Sequence, residues 1–144
     1  MTHRLLIDAD GCPVVDEAVA VARSFHLECL ILCDTAHHFN KNGAQTLVFS
    51  QGADSVDFAL ANLVQAGDIV VTQDYGLAAM CLARAARALN QDGVEYTADN
   101  IDSLLLARHT ARKIRSGGGR LKGPKKRTPE QDEKFKSALT AMLN

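Results

Sequence analysis

The segment LLIDADGCPVV, residues 5–15, sets the architecture expected for the chain. An apolar run ends at one carboxylate, Asp8, and a second, Asp10, follows after a single alanine. Gly11 allows a sharp turn, and Pro13 suits the first position of a helix because its missing N–H has no partner there. The pattern predicts a buried strand that ends at Asp8 and a helix that begins at Pro13. Both acids would then lie at the carboxyl end of a strand, where open α/β sheets bind ligands.

The composition is that of a globular protein with one core. The chain has 144 residues, of which 47% are hydrophobic and 23% charged, and this length predicts a single domain. The sequence shows neither the apolar run of roughly 18–20 residues that a membrane span needs nor a signal peptide, so we expect a cytoplasmic protein without a membrane partner. The four cysteines lack the spacing of a metal site and are predicted to be small buried side chains, with only Cys12 accessible.

Apolar runs alternate with helical patterns along the rest of the chain. Strands are predicted at residues 4–8, 27–34, 46–50 and 68–74, with a short fifth strand at 94–97. Helices are predicted at 13–25, 51–67 (capped by Asp54 and stopped by Gly67), 75–89, from about Asp99, and at 129–143, the last capped by Thr128. Such alternation implies parallel pairing with right-handed crossovers. We therefore predict a three-layer α/β domain over residues 1–144, with a mainly parallel sheet of four or five strands and helices on both faces.

Five carboxylates are expected to meet at the carboxyl edge of this sheet: Asp8, Asp10, Asp54, Asp57 and Asp74. Like charges at short range are destabilising unless cations or protons neutralise them. Mg²⁺ or Mn²⁺ prefers oxygen ligands, and two such ions can activate water and hold the leaving oxygen of a phosphodiester. Individually, Asp54 could act only as a helix cap, Asp57 as a partner of the helix dipole, and Asp10 as a turn residue.

The net charge of −1 conceals an acidic body and a basic arm. Residues 1–107 carry 14 acids and 5 bases, a balance of −9, whereas residues 108–127 carry 9 bases and no acid. The segment at about 116–127 contains three consecutive glycines and is predicted to be a loop or arm. A polyanion could bind along it, although a solvated charged face is the alternative. Candidate nucleic-acid-binding residues are Arg108, Arg112, Arg115, Arg120, Lys122, Lys125, Lys126 and Arg127. With two Tyr and five Phe, base stacking is not a strong expectation.

Several motifs together resemble the bacterial YaiI/YqxD family, a group of uncharacterised proteins placed among PIN-like domains. These motifs are DADGCPVV at 8–15, GADSVDFALANL at 52–63, GDIVVTQDYGLAA at 67–79, ALN at 88–90, YTADNI at 96–101 and GP at 123–124. The resemblance implies the PIN-like fold of metal-dependent nucleases, with Asp8 and Asp74 as strand acids, Thr72 as the companion of Asp74, and Asp54 and Asp57 as helix acids. Asp10 belongs to the D-x-D that is particular to the group.

The resulting hypothesis is a nuclease that uses Mg²⁺ or Mn²⁺. Asp8, Asp54, Asp57 and Asp74 would hold the metal, with Asp10 at the same catalytic site and Thr72 orienting Asp74. The expected partner is nucleic acid, RNA in preference to DNA.

Two other functions fit parts of the pattern. D-x-D-G after a first strand also resembles phosphatases of the haloacid-dehalogenase type, in which Asp8 would be the nucleophile and Asp10 the general acid. Residues 46–74, however, contain no basic residue that could bind the phosphate there. The third hypothesis is a non-catalytic RNA-binding module, which would bind without metal and would keep binding after Asp8→Asn or Asp74→Asn.

Overall fold

A mostly parallel sheet forms the middle layer of the protein, for which a computed structural model describes residues 4–35, 39–50, 55–106 and 126–144. Within these residues its strands are β1 (Arg4–Asp8), β2 (Glu28–Asp34), β3 (Gln45–Phe49), β4 (Ile69–Val71), β5 (Arg87–Leu89) and β6 (Glu95–Tyr96). Their order across the sheet is β3-β2-β1-β4-β5-β6. The first five strands are parallel and β6 is antiparallel to β5. The carboxyl ends of β1 to β5 therefore lie along one edge.

Helices cover both faces of this sheet. One face packs against α1 (Val15–Ser24) and α5 (Pro129–Leu143), and the other against α2 (Ser55–Leu63), α3 (Tyr75–Ala83) and α4 (98–106). Strand β1 shows why both layers are needed, because successive side chains point to opposite faces. Leu5 and Ile7 join the first cluster, Leu6 joins the second, and all three are 0% exposed. The predicted three-layer α/β fold is confirmed.

Strand β5 lies where the sequence predicts the end of a helix. The Ala-rich segment 75–89 suggests one continuous helix, but α3 ends at Ala83, and Ala85 adopts a positive φ of 64°. The chain then pairs alongside β4, and the N–H of Thr72 donates to the carbonyl of Leu89 at 3.1 Å. Pairing with β4 outweighs the helical propensity of these residues. The sheet in the described residues consequently has six strands, whereas four or five were predicted.

Two helix boundaries differ from the sequence-based expectation. Helix α1 begins at Val15, so the predicted start at Pro13 is wrong by two residues. Val14, with φ −121° and ψ 25°, is the non-helical residue before it. Helix α2 ends at Leu63, and Gly67, with φ 89°, lies in the turn before β4 and does not terminate the helix. The predicted cap Asp54 lies outside the described residues.

The last two helices begin with reciprocal hydrogen bonds between a threonine and the third residue after it. In α4 the N–H of Asn100 donates to Thr97 Oγ1 at 3.2 Å, and the N–H of Thr97 donates to Asn100 Oδ1 at 2.9 Å. The cap is therefore Thr97, and the predicted start near Asp99 is one residue late relative to the helix at 98. In α5 the N–H of Thr128 donates to Gln131 Oε1 at 2.7 Å, which confirms the predicted cap.

Helix α5 closes the first face of the sheet, as its apolar pattern predicts. Phe135 and Leu139 are both fully buried. Gly93, in the β5–β6 turn, has a φ of 83°, and a Cβ at this position would lie 2.8 Å from the Cβ of Ala138. The turn thus contacts α5 directly. None of the helices in the described part of the chain is both long and apolar enough to cross a bilayer.

Candidate active site

The carboxyl ends of β1, β2 and β4 open onto one pocket of about 550 Å³. Its lining residues are Asp8, Asp10, Gly11, Asp34, Ser55, Val56, Asp57, Gln73, Asp74 and Tyr75. Half of them are aspartates. The structure therefore brings together four of the five predicted acids, namely Asp8, Asp10, Asp57 and Asp74. The fifth, Asp54, lies outside the described residues.

A tight turn after β1 places Asp10 at the pocket. The N–H of Cys12 donates to the carbonyl of Ala9 at 3.0 Å, and Gly11 has a φ of 76°, which glycine adopts without steric cost. The Asp10 carboxylate accepts a hydrogen bond from the N–H of Asp34, with Oδ2 at 3.0 Å and Oδ1 at 3.4 Å. Asp10 consequently fastens the turn to the end of β2.

Thr72 connects two of the acids. This residue is 1% exposed, and its hydroxyl donates to Asp8 Oδ2 at 2.7 Å. The hydroxyl oxygen of Thr72 also accepts a hydrogen bond from the N–H of Asp74, at 3.0 Å. The sequence predicted Thr72 as the companion of Asp74, and the structure shows that its carboxylate partner is Asp8. One side chain thus fixes the ends of two adjacent strands relative to each other.

Asp74 is the N-cap of α3. Strand β4 ends at Val71, so the prediction that Asp74 ends the strand is wrong by three residues. Asp74 Oδ1 accepts hydrogen bonds from the N–H of Gly76 at 2.8 Å and of Leu77 at 3.1 Å. These bonds hold the carboxylate at the pocket and satisfy the first turn of the helix. Asparagine would preserve the cap, which makes Asp74→Asn a suitable test of the charge alone.

Asp8 shows the electrostatic consequence of gathering these acids. Its pKa is raised to about 6, chiefly by burial and to a smaller degree by the negative charges of Asp74 and Asp10, while the hydrogen bond from Thr72 opposes the shift. The charged form of Asp8 is therefore less stable here than in water. A proton or a cation close to this carboxylate would relieve the repulsion.

Carboxylate oxygens are the ligands that hard divalent cations prefer. Mg²⁺ is commonly held by one or two carboxylates together with water and substrate phosphates. Within residues 4–35, 39–50, 55–106 and 126–144, no three His, Cys, Asp or Glu side chains are grouped so that they could hold a metal ion together. The described residues therefore do not form the closed ligand cage of a structural metal site.

The sequence-based prediction missed Asp34. This residue is the last of β2 and lines the same pocket as Asp8, the last residue of β1. The signal was present, because the apolar run LECLILCD ends in an aspartate just as LLID does. The pairing register of β1 with β2 sets Asp8 beside Leu32, which places the end of β2 two residues beyond the end of β1.

Cys12 lies in the turn after Asp10, and its environment is unsuited to nucleophilic chemistry. Burial raises its pKa to about 11, so almost no thiolate is present at neutral pH. Cys12 is partly buried, and Cys29, Cys33 and Cys81 are buried and unoxidised. The prediction of small apolar cysteines is confirmed.

Most of the basic arm lies outside the described residues, including Arg108, Arg112, Arg115, Arg120, Lys122 and Lys125. Lys126 is exposed. Arg127 donates to Asp92 Oδ1 at 3.0 Å, to Asp132 Oδ1 at 2.6 Å and to the carbonyl of Gln91. Arg127 therefore joins the β5–β6 turn to α5, which distinguishes it from its neighbour Lys126.

Comparison with known proteins places this arrangement in a family. The family model described as "Uncharacterized BCR, YaiI/YqxD family" matches residues 6–144. A UPF0178 protein of Exiguobacterium sibiricum is 51% identical over 140 residues, covering 97% of this chain and 96% of that protein. The UPF0178 protein of Clostridium acetobutylicum is 46% identical over 142 residues (97% and 96% covered), and that of Bacillus thuringiensis subsp. konkukian is 36% identical over 143 residues (97% and 98%). No solved structure matches the chain significantly. The chain therefore belongs to the YaiI/YqxD family of UPF0178 proteins.

Proposed function

We propose that this protein is a nuclease that hydrolyses phosphodiester bonds with Mg²⁺ or Mn²⁺. The observation that carries the proposal is the meeting of Asp8, Asp57 and Asp74, from three separate segments, in one pocket at the carboxyl edge of the sheet. Open α/β sheets bind their ligands at this edge, and clustered carboxylates supply the ligands that these two metals prefer. The resemblance to PIN-like domains supports the same chemistry.

Each acid has a defined part in the proposed site. Asp8 and Asp74 would hold the metal directly, and Asp57 would reach it directly or through water, as would Asp54. The bound ion would supply a more acidic water and a positive charge for the phosphate oxygens. Thr72 keeps the Asp8 carboxylate oriented through the bond of 2.7 Å. Asp10 contributes by holding the turn against β2.

The basic arm supplies the positive charge that the acidic pocket lacks. A polyanion is repelled by clustered carboxylates, so cations elsewhere on the chain must bring it to the site. We assign this part to the arm from Arg108 to Lys126, with RNA as the preferred substrate over DNA. Arg127 is assigned a different part, because its contacts with Asp92 and Asp132 anchor the arm to the body.

A phosphatase of the haloacid-dehalogenase type is the second candidate, and one contact weighs against it. Such an enzyme would need Asp10 to deliver a proton to the leaving group. Here the Asp10 carboxylate accepts a hydrogen bond from the N–H of Asp34, which suits an anchor better than a proton donor. Covalent catalysis through Asp8 predicts a phospho-enzyme that can be trapped, whereas the nuclease predicts none.

The decisive experiment combines metal binding with cleavage. Calorimetric titration with Mn²⁺ should give measurable heat for the wild type and for Asp102→Asn, an exposed control acid on α4, but little heat for Asp8→Asn and Asp74→Asn. Labelled RNA and DNA oligonucleotides should be cut only when Mn²⁺ or Mg²⁺ is present, and RNA faster than DNA. Equal and negligible heats for all four proteins would refute the metal site. Tight RNA binding that needs no metal and survives both substitutions would establish the non-catalytic module.

A further inference from the structure

One aromatic residue, Tyr75, lines the acidic pocket. Tyr75 is the first residue of α3, directly after Asp74, and it is partly buried. Apart from the acids, the pocket lining consists of Gly11, Ser55, Gln73, Val56 and Tyr75. Among the described lining residues, Tyr75 is the one that carries an aromatic ring, and half of the lining residues are aspartates.

A second tyrosine holds this ring in place. The rings of Tyr75 and Tyr96 meet edge to face, with centroids 5.9 Å apart and planes at 63°, an arrangement that aromatic pairs favour. Tyr96 is 1% exposed, and its hydroxyl donates to the carbonyl of Thr72 at 3.0 Å. Tyr96 therefore fixes both the ring in the pocket wall and the residue that orients Asp8.

We propose that Tyr75 is a specificity-determining residue that stacks on an unpaired nucleobase beside the phosphate bound at the acids. This inference rests on the proposed function. Every nucleobase has a flat face that stacks on an aromatic ring, so such a contact selects for an exposed base without reading its sequence. A base inside a duplex is already stacked on its neighbours, so the ring favours single-stranded or looped nucleic acid over a continuous duplex.

The position of Tyr75 matters more than the number of aromatic residues. The low aromatic content gave little reason to expect base stacking, but one ring is sufficient when it adjoins the metal-binding acids. Phe58 provides the contrast, because it is 59% exposed on α2 and yet does not line the pocket. Phe58→Leu is therefore a matched control for the loss of an aromatic ring outside the site.

The first test detects stacking without any requirement for catalysis. The chain has no Trp and only two Tyr, so protein labelled with ¹³C in its tyrosine rings gives two ring systems, which Tyr75→Phe assigns. A single-stranded pentanucleotide RNA is titrated in Ca²⁺, which replaces the catalytic metal. We expect saturable upfield shifts of the Tyr75 ring signals, and loss of these shifts when one particular base is replaced by an abasic residue.

Saturable binding of the pentanucleotide that leaves the Tyr75 signals unmoved would overturn the inference while leaving the proposed function intact. Absence of any binding would count against both.

The second test uses cleavage to measure the preference for a base. The ratio of kcat/KM for the intact RNA to kcat/KM for its abasic counterpart should fall about tenfold in Tyr75→Leu. The ratio should be retained in Tyr75→Phe, which keeps the ring, and in Phe58→Leu. A ratio that is the same in Tyr75→Leu and the wild type would overturn the inference even if both RNAs are cut.

Discussion

The two ends of the central parallel strands use the same side chain in opposite ways. At the amino ends, Asp68 precedes β4, is 0% exposed, and accepts hydrogen bonds from Arg4 at 2.7 Å and from the N–H of Gln65 at 2.8 Å. At the carboxyl ends, Asp8 terminates β1 and is surrounded by the charges of Asp74 and Asp10. Asp8 ends β1, and Asp68 directly precedes the neighbouring strand β4. The charge of Asp68 is paired with Arg4, whereas the charge of Asp8 lies beside those of other carboxylates.

This difference separates an acid whose charge is paired with a guanidinium from an acid that lies beside other carboxylates. The hydrogen bond from Arg4 to Asp68 raises the pKa of Arg4, so Asp68 stabilises the charge of the guanidinium. Burial and neighbouring carboxylates raise the pKa of Asp8 to about 6, so its charge opposes folding near neutral pH. Removal of the negative charge should therefore destabilise the protein at Asp68 and stabilise it at Asp8.

The largest effect is expected at Asp68. Asp68→Asn leaves the Arg4 guanidinium, whose side chain is only 15% exposed, without its charged partner, and this should lower the free energy of unfolding by about 3–5 kcal/mol. Urea denaturation monitored by circular dichroism measures the change. Cleavage per folded molecule should stay at the wild-type level, because Asp68 lies at the opposite end of the strands.

The paired variant Arg4→Met/Asp68→Asn is the control. Removal of both charges should recover part of the stability lost by Asp68→Asn, and a double-mutant cycle measures the coupling. Strictly additive losses would mean that the two residues stabilise the fold independently. The contrast between a paired aspartate at the amino ends and an unneutralised one at the carboxyl ends would then no longer hold.

The second effect is a gain in stability, expected for Asp8→Asn, and its size depends on pH. Because the pKa of Asp8 is higher in the folded chain than the ordinary value of about 3.9 for an aspartate, the folded state holds the proton more tightly than the unfolded chain. The resulting stability is fully present below about pH 4 and is lost as the pH rises through about 6. In EDTA, Asp8→Asn should thus be more stable than the wild type by up to about 3 kcal/mol at pH 7 and by far less at pH 4.

Denaturation of both proteins at pH 4, 5, 6 and 7 follows this difference directly. A stability difference that does not change with pH would show that the folded chain does not perturb the carboxyl of Asp8. Addition of Mn²⁺ at pH 7 should reverse the order, since only the wild type gains stability from the bound ion.

The third effect is a loss of metal affinity, expected at Thr72, the residue that connects Asp8 with Asp74. Thr72→Val removes the hydroxyl that donates to Asp8 and accepts from the N–H of Asp74 while preserving the shape of the side chain. Loss of a group that orients a metal ligand typically costs 10–100-fold in affinity or activity, so calorimetry should show Mn²⁺ binding weakened about 10–100-fold. Thr72→Ser, which keeps the hydroxyl, should bind within a few-fold of the wild type.

The sequence contains most of what the fold requires and part of what the site requires. Apolar runs such as Leu5–Ile7, separated by helical patterns, identify β1 to β4 and imply that they are parallel, so acids at their ends can be expected at one edge. Strand β5 could not be predicted in this way, because Ala88 and Leu89 favour helix locally and only β4 makes them a strand. Asp34 carried a readable signal that was overlooked.

Contacts between distant residues are a different matter. Arg4 and Asp68 are 64 positions apart, and no local pattern relates them. Arg127 belongs by sequence to a run of cations, and only the fold shows that Asp92 and Asp132 engage it. Charge patterns therefore indicate which segments carry function, but they do not reveal which members of a segment are used by the fold itself.

The smallest effect tests this last distinction at neighbouring positions of the arm. Lys126 is exposed, whereas the Arg127 side chain is 22% exposed and bonded to two carboxylates. Lys126→Met should leave stability unchanged and lower the salt dependence of RNA binding by about one phosphate contact. Arg127→Met should lower the free energy of unfolding by about 1 kcal/mol with little change in the salt slope.

Denaturation and RNA titrations at several salt concentrations separate the two outcomes. Identical behaviour of both variants would mean that the arm acts as an undifferentiated run of charge. The ion pairs of Arg127 would then not stabilise the fold in the way that the pair of Arg4 and Asp68 does.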